Sequence, residues 1–284
     1  MYLIGKPDFD LKEVYLKCTE SFRDIGLVTR LSSCTEQIVD AANVFEALAE
    51  KNEAFKMVEE VAGRGSITAK ELIKMYTQKF SKKGSVGRPY YDRILLIPKD
   101  CLCPMCGVRG VSTIDHYLPK SVIPSLAIAP SNLLPSCWEC NITKNDEMGD
   151  SHDKELIHPY FDDISSIRWL VCDIIEGNQI IFKYSVSCEN VSDVTLYKRL
   201  LNHFEVFELG KLFKIKAANM FSGIEKRLKD LYNKKGARAV KHHIQEDLSS
   251  YEHVCENSWQ SAFYRGLLSS DWFYEIWLKE NSTK

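Results

Sequence analysis

The sequence lacks a long apolar run, and no stretch approaches the roughly eighteen uninterrupted apolar residues of a membrane helix. The first residues also lack a basic segment followed by an apolar core, which is the pattern of a secretory signal. No internal repeat or low-complexity tract is present either. These absences argue against a membrane span and against export, so we expect a globular protein of the cytoplasm.

A surplus of one charge is also missing. The 284 residues carry 37 Lys and Arg against 39 Asp and Glu, a net charge of −2 at pH 7. Bulk electrostatics therefore does not favour nucleic acid, and contacts with DNA or RNA need local patches or a partner. The first basic patch comprises Lys79, Lys82, Lys83, Arg88 and Arg93, and the second comprises Lys211, Lys214, Lys216, Lys226, Arg227, Lys229, Lys234, Lys235, Arg238 and Lys241. The alternative is that these charges form a solvated helix face.

Cysteine is plentiful, but without a secretory signal the ten cysteines do not indicate a disulfide scaffold. Four of them form two CxxC pairs, Cys103 with Cys106 and Cys137 with Cys140. Two such pairs complete a tetrahedron of thiolates, the usual ligand set of a structural zinc ion. Four thiolates close the site, so we expect this zinc to be structural. The alternative is two coincidental pairs of buried thiols.

The residues between the two pairs, 107–136, carry the polar side chains of interest. Asp115 and His116 are adjacent, and Pro119 ends the predicted strand soon after them. An Asp-His pair at a strand end suits phosphodiester hydrolysis, because the carboxylate can hold a hard cation while the imidazole polarises a water. The alternative is an Asp-His hydrogen bond that caps a turn.

Together with Asn132 and Asn141, this pair resembles the motif of the HNH nucleases, in which two short strands and a helix surround one catalytic cation. The resemblance implies that His116 is the general base and that Asn132 braces the loop between the strands. It also implies that Asp115 and Asn141 bind magnesium or manganese. The last motif position is Asn141 instead of a histidine, and an amide oxygen also suits a hard cation. Spacing places Lys144 on the helical face of Asn141, where it could meet a phosphate.

A wider resemblance, beyond residues 101–146, is to the HNH nucleases of bacterial anti-phage systems, the Septu effector and its retron-associated relatives. It rests on residues 115–121, Pro124, 132–133, 137–141, Lys144 and 158–163. Those nucleases work beside an ABC-type ATPase. The resemblance therefore implies a role in defence and an ATPase partner.

The expected fold class is α+β, mostly α. Its three parts are an N-terminal helical region at residues 1–98, the zinc-braced nuclease module with a following hairpin at 99–187, and a C-terminal helical region at 188–284. Capping-box spacing at Ser33 to Glu36 and at Thr68 to Glu71 predicts two helix starts. Two largely apolar runs within 168–187, on either side of a Gly-containing turn at 176–178, predict the hairpin. Gly236 interrupts the helical pattern that follows.

Residues 259–278 are rich in large apolar side chains, including Trp272 and Trp277. Aromatic residues at helical spacing usually form a core, and docking of a partner is the alternative. His152 and His158 follow the motif closely enough to be considered as metal ligands. We rank both below Asn141, because neither has the motif spacing.

Three functions are compatible with this sequence. The first is a metal-dependent HNH endonuclease that hydrolyses DNA, with RNA left open. The second is a zinc-bound nucleic-acid-binding module without chemistry, and the third is an interaction subunit of an ATPase assembly. We favour the first, because the combination of Asp115, His116 and Asn141 is difficult to reach by chance. One site with one metal cuts one strand at a time, so a double-strand break needs two copies or two encounters. We therefore expect dimerisation or a multimeric partner.

Overall fold

The computed structural model describes residues 3–58, 66–177 and 179–282. The chain forms two compact units, Met1–Asp163 and Ile164–Lys284. Helices dominate the described residues, and each unit also contains a two-stranded antiparallel sheet. The predicted fold class, α+β and mostly α, is confirmed. None of the described helices combines the length and the apolar character that a membrane crossing requires.

The first unit is built from short helices around a small hairpin of strands. Its helices are α1 (Leu11–Glu20), α2 (Ile25–Ser33), α3 (Thr35–Ala49), α4 (Ala69–Met75), α5 (Arg88–Leu95) and α6 (Trp138–Lys144), and its strands are β1 (Thr113–His116) and β2 (Leu133–Ser136). A π-helical turn, Tyr76–Phe80, continues α4. Asp10 and Asp24 begin α1 and α2, because each carboxylate accepts a hydrogen bond from a first-turn backbone N–H.

One of the two predicted capping boxes forms. The Thr68 hydroxyl accepts from the backbone N–H of Glu71, and the Glu71 carboxylate accepts from the backbone N–H of Thr68. The box predicted at Ser33 was wrong. Ser33 is the last residue of α2, and its hydroxyl donates to the carbonyl oxygen of Arg30. The helix α3 begins at Thr35 without a side-chain cap, because it follows α2 after a single residue.

The second unit contains a longer hairpin and the remaining helices. Its strands are β3 (Leu170–Ile175) and β4 (Ile181–Val186), and its helices are α7 (Val194–Val206), α8 (Leu209–Val254), α9 (Trp259–Ser269) and α10 (Leu278–Ser282), with a π-helical turn at Phe273–Trp277. The hairpin predicted in residues 168–187 is confirmed. The predicted turn at 176–178 includes Asn178, which lies outside the described residues.

The β3–β4 hairpin packs on helices α8 and α9. The contact with α9 is close enough to require glycine, because a Cβ at Gly266 would lie 2.2 Å from the carbonyl oxygen of Cys172. In the structure, the hairpin therefore belongs to the same compact unit as the C-terminal helices. From the sequence, we expected it to follow the nuclease module within residues 99–187.

The helix α8 folds back on itself at Gly236, where the sequence predicted a break. Gly236 has φ +75° and ψ −179°, so the backbone leaves the helical conformation there. An Arg227 Nη2 to Asp247 Oδ2 hydrogen bond of 3.3 Å joins the two halves. Twenty residues of straight helix would separate these side chains by about 30 Å. Residues 209–235 and 237–254 are therefore antiparallel arms.

The aromatic C-terminal segment forms core. Trp277 is buried and stacks on Phe273, with ring centroids 5.5 Å apart, and it also makes a T-shaped contact with Phe221. The Lys229 Nζ lies 5.0 Å from its ring centroid. Tyr274 is buried as well, and Trp272 is half-buried. These contacts favour the core interpretation over partner docking, because a Trp277 already packed inside the unit offers little surface to another chain.

Candidate active site and metal centre

Four sulfur atoms meet at one buried point of the first unit. The Sγ atoms of Cys103, Cys106, Cys137 and Cys140 lie within 4.8 Å of one another, and all four residues are buried. Thiolates this close repel one another, and a zinc ion supplies the opposing charge in a tetrahedral shell. The donor set fits zinc, and four protein ligands leave no open position for chemistry.

Backbone geometry shapes both cysteine pairs. The backbone N–H of Gly107 donates to the carbonyl oxygen of Cys103 at 2.7 Å, and Gly107 adopts φ +66°, a conformation that favours glycine. The Cys137 sulfur accepts a hydrogen bond from the backbone N–H of Cys140 at 3.3 Å and so caps α6. The same cysteine therefore contributes to the metal centre and begins the helix that carries Asn141.

The strands and helix beside this cluster form a ββα unit. β1 pairs antiparallel with β2, with Asp115 opposite Leu134 and His116 opposite Leu133. Only Cys137 separates β2 from α6, which contacts β1. This is the order of elements that the HNH resemblance implied.

His116 is the last residue of β1, and its ring is buried. Its Nε2 lies 2.9 Å from the carbonyl oxygen of Ala127, which can only accept, so Nε2 carries the proton. Burial lowers the pKa of His116 to about 3, so the ring is neutral near pH 7. Nδ1 is then an acceptor, and it makes no hydrogen bond to the described residues. The ring of Tyr76 packs edge-on against the imidazole, with centroids 4.6 Å apart.

Asp115 and Lys144 form a buried pair of opposite charges. Oδ1 of Asp115 accepts from the backbone N–H of His116 at 2.7 Å. Oδ2 is buried without a hydrogen bond among the described residues, and the Lys144 Nζ lies 3.9 Å from it. Burial raises the pKa of Asp115 and lowers the pKa of Lys144, and each partner's charge opposes the other's shift. A cation beside Oδ2 would stabilise the carboxylate further.

Lys144 has a different place from the one that the sequence suggested. Its side chain is fully buried, and Nζ donates to the carbonyl oxygen of His116 at 2.8 Å. The ammonium therefore points into the protein, and a direct contact with a phosphate is not what this geometry favours. Lys144 does lie about one helical turn after Asn141, as the spacing predicted. The spacing did not indicate that the Lys144 side chain points into the protein.

Asn132 is fully buried and binds the loop between the strands through its amide. Oδ1 accepts from the backbone N–H of Leu118 at 2.7 Å, and Nδ2 donates to the carbonyl oxygens of Leu118 at 3.0 Å and Leu126 at 3.3 Å. Its own carbonyl oxygen accepts from the backbone N–H of Tyr117 at 2.9 Å. The side chain thus has the bracing geometry that the resemblance implied.

Asn141 presents its amide oxygen to a cleft. Nδ2 donates to the carbonyl oxygen of Ile114 at 3.2 Å, and this partner fixes which end of the amide is nitrogen. Oδ1 makes no hydrogen bond to the described residues. The cleft has a volume of about 260 Å³, and it is lined by Asp115, His116, Pro119, Lys120, Asn141, Ile142, Asn145 and Asp146. The cleft thus brings together three of the predicted catalytic residues.

Two cleft residues were missed by the sequence reasoning, Lys120 and Asp146. Lys120 is half-buried, forms no ion pair among the described residues, and holds its Nζ 5.5 Å from the centroid of the Tyr76 ring. It is the cation that lines the cleft. The sequence feature that could have identified Lys120 is its position directly after Pro119, where the chain leaves the strand.

The two lower-ranked histidines lie outside the cleft lining. His152 packs edge-on against Phe55, with ring centroids 4.9 Å apart, and its Nε2 is 3.9 Å from a Glu53 carboxylate oxygen. His158 is buried in an aromatic cluster, where its ring centroid lies 4.2 Å from that of Tyr117. Both positions suit packing better than metal binding.

Substitutions of the two motif asparagines, Asn132 and Asn141, should differ in their effect on the free energy of unfolding. Asn132→Ala removes three hydrogen bonds to buried backbone groups, so we expect the free energy of unfolding to fall by about 2–4 kcal/mol. Asn141→Ala removes one bond at a partly exposed site, and the expected loss is about 1 kcal/mol or less. Urea denaturation of both variants checks this difference. Equal losses would contradict the structural role of Asn132.

Comparisons with known proteins give one family match and two related proteins. A family model of the HNH endonucleases matches residues 103–147. Protein ea31 of Escherichia phage lambda is 29% identical over 164 residues, which cover 56% of this chain and 55% of ea31. Septu protein PtuB of Bacillus thuringiensis is 30% identical over 134 residues, which cover 44% of this chain and 51% of PtuB. No solved structure matches the chain.

This chain thus spans about half the length of the curated relatives it matches. The family match includes both cysteine pairs, β1, β2 and all the residues that line the cleft. Residues 103–147 are therefore an HNH endonuclease domain, and the chain resembles Septu protein PtuB.

Proposed function

We propose that the protein is a metal-dependent endonuclease that hydrolyses phosphodiester bonds in DNA. One observation carries the proposal: the neutral imidazole of His116, the buried carboxylate of Asp115 and the amide of Asn141 all line one cleft. A general base and two oxygen ligands are the groups that metal-assisted phosphodiester hydrolysis requires.

His116 is the group that takes a proton from the attacking water. The Nε2–H donor to the Ala127 carbonyl holds the ring in one orientation and leaves Nδ1 as the acceptor. Tyr76 packs against the ring and limits its movement. A base that is already neutral and oriented needs no rearrangement before proton transfer.

Asp115 and Asn141 are the residues that would hold magnesium or manganese. The fit rests on Oδ2 of Asp115, which is buried without a hydrogen bond, and on Oδ1 of Asn141, the free end of an amide anchored to Ile114. Two oxygen ligands are enough for magnesium, which usually keeps several waters. When bound there, the cation would polarise the phosphate and offset charge on the leaving oxygen.

Lys120 is the residue that contacts a phosphate of the substrate. The other charged groups that line the cleft, Asp115 and Asp146, are acidic and repel a nucleic acid. Lys144, which the sequence suggested for this role, is buried against Asp115. Lys120 lines the same cleft, and its ammonium forms no ion pair with the residues that the structure describes.

The biological setting that we propose is anti-phage defence, in association with an ABC-type ATPase. The support is the resemblance of the motif and its flanks to Septu-type effectors, together with the match to PtuB over 44% of this chain. An oligomeric assembly would also supply two active sites, so that both strands could be cut in one encounter. Co-purification of the tagged protein from its native cells tests the partner. Recovery without an ATPase would contradict this part of the proposal.

Cleavage should depend on His116. We expect His116→Ala to fold normally but to cut plasmid DNA at least about 100-fold more slowly with magnesium, because the base is gone. His152→Ala, outside the cleft lining, is the matched control and should cut like the wild type. EDTA should stop wild-type cleavage, and magnesium or manganese should restore it. Activity that returns with zinc alone, or persists in His116→Ala, would contradict the mechanism.

Removal of the Lys120 charge should weaken substrate binding more than the chemical step. We expect Lys120→Met to raise KM about ten-fold with a smaller fall in kcat, because one charge-assisted contact is lost. Lys120→Arg should recover most of the loss. Lys70→Met, at an exposed lysine of α4, is the control. An unchanged KM in Lys120→Met would show that this lysine does not contact the substrate.

The four-cysteine cluster should hold zinc. We expect about one zinc ion per wild-type chain, and loss of that ion with a lower Tm in Cys140→Ser, because metal binding is coupled to folding. Cys101→Ser changes an exposed thiol outside the cluster and should keep both the zinc and the Tm. Elemental analysis and thermal unfolding give the two readouts. Purified wild type without zinc would contradict the assignment.

A further inference from the structure

The turn between the two arms of α8 places a group of basic residues at one end of a helical hairpin. We call residues 232–241 the α8 tip. The first arm spans about 40 Å up to Gly236, and the second arm starts directly after it. Asn233 donates through Nδ2 to the carbonyl oxygen of Ser282, so the first arm is tied to α10 just before the turn. The tip is therefore a defined structure.

Within the described part of the chain, three cations of the tip have no acidic partner. Lys234, Lys235 and Arg238 are exposed and form no ion pair among the described residues. Most other cations of the second basic patch are compensated: Lys211, Lys226, Arg227, Lys229 and Lys241 each have a carboxylate within 4.0 Å. The solvated-face interpretation fits those residues, but it leaves three adjacent charges at the turn unexplained.

The first basic patch does not offer a comparable group. Lys79 donates to the carbonyl oxygen of Ser21, Arg88 pairs with Asp92, and Arg93 pairs with Asp8. Three of its five cations are thus committed to contacts within the first unit. The other two, Lys82 and Lys83, are exposed and form no ion pair among the described residues. The α8 tip has three such cations.

The chemistry of the tip favours a polyanion over a protein surface. The exposed large apolar residues of the described chain include none between 232 and 241, where Ala237 and Ala239 are the half-buried neighbours of the turn. Protein interfaces need an apolar centre, whereas binding to nucleic acid draws its free energy from cations that replace counterions at phosphates. Flexible lysine and arginine side chains on a helix turn suit the second kind of contact.

We propose that the α8 tip is a nucleic-acid-binding site, in which Lys234, Lys235 and Arg238 contact backbone phosphates independently of base sequence. This inference rests on the proposed nuclease function, since it names a second surface for the same substrate class. The net charge of −2 gives the chain no general affinity for nucleic acid, so binding requires a local basic site such as the tip.

The test measures binding without cleavage. The full-length protein is titrated against a labelled DNA duplex and a labelled RNA duplex in EDTA, at several salt concentrations, with fluorescence anisotropy as readout. The variant is Lys234→Gln, Lys235→Gln and Arg238→Gln combined. The matched control combines Lys183→Gln, Lys211→Gln and Lys226→Gln, which removes the same charge from exposed positions of the second unit away from the tip. Circular dichroism checks that both fold.

We expect the tip variant to bind at least about ten-fold more weakly, and the slope of log affinity against log salt to fall by about three. The control should bind like the wild type. Equal weakening in both variants would show bulk charge alone and overturn the proposal, as would an unchanged tip variant. A polyglutamate peptide that binds the wild type as tightly as the duplexes do would also overturn it, in favour of an acidic protein partner.

The outcomes separate this inference from the proposed function. Tip-dependent binding by a protein that never cuts with magnesium would support the tip and remove the nuclease proposal. Cleavage that depends on His116, together with binding that does not change in the tip variant, would support the nuclease proposal and remove the tip proposal. A preference for the DNA or the RNA duplex would identify which nucleic acid the tip binds, because each is tested as a separate titration.

Discussion

The meeting of four cysteine sulfurs is the constraint on which the candidate site depends. β1 and β2 have four residues each, and a two-stranded sheet of that size is not stable alone. Cys137 ends the sheet, contributes to the cluster and caps α6, so one residue fixes the direction of the helix. Asn141 is the next residue after Cys140, and Lys144 lies one turn further along α6. Positions on both sides of the cleft thus depend on the same cluster.

A second constraint is the burial of charge beneath the cleft. Lys144 donates to the carbonyl of His116 and faces Oδ2 of Asp115 at 3.9 Å, a separation that leaves the oxygen without a hydrogen bond. An unsatisfied buried oxygen costs about 1–3 kcal/mol, more when it is charged. A well-packed core would not retain such a group for stability, and natural proteins tend to keep this kind of cost at functional sites. This unsatisfied oxygen is the observation that supports our proposal of a cation beside Asp115.

Much of the candidate site follows from the sequence because its chemistry requires fixed residue types at fixed spacing. The CxxC pairs and the Asp115, His116, Asn132 and Asn141 positions are of this kind, and the structure brings them into one ββα unit. Lys144 and Lys120 are the residues of the site whose positions the sequence did not predict. Spacing put Lys144 on the helical face of Asn141, but burial against Asp115 depends on packing between α6 and β1, which no local pattern encodes. Lys120 is identified only by the cleft that surrounds it.

The fold also has features that a local sequence pattern predicts and features that depend on packing. Gly236 and the hairpin of β3 and β4 were predictable, because a glycine in a helical pattern and alternation between turn residues act locally. The capping box at Ser33 failed because the same hydroxyl can satisfy a carbonyl at the end of the preceding helix, and the sequence does not indicate which helix it serves. The helices that cover the hairpin are set by close packing such as that at Gly266.

Charge compensation, more than charge count, decides where this chain can meet a polyanion. Both basic patches looked similar in the sequence, yet exposed ion pairs contribute little stability and mainly cancel the field around their cations. Among the described residues, Lys120 in the cleft and Lys234, Lys235 and Arg238 at the turn of α8 are cations that this cancellation does not reach. Screening limits such fields to about 10 Å at 0.1 M salt, so each group acts only on phosphates that come into near contact. Recognition of a nucleic acid by a chain of near-neutral charge is then a local property, created where folding leaves a lysine or arginine without a carboxylate.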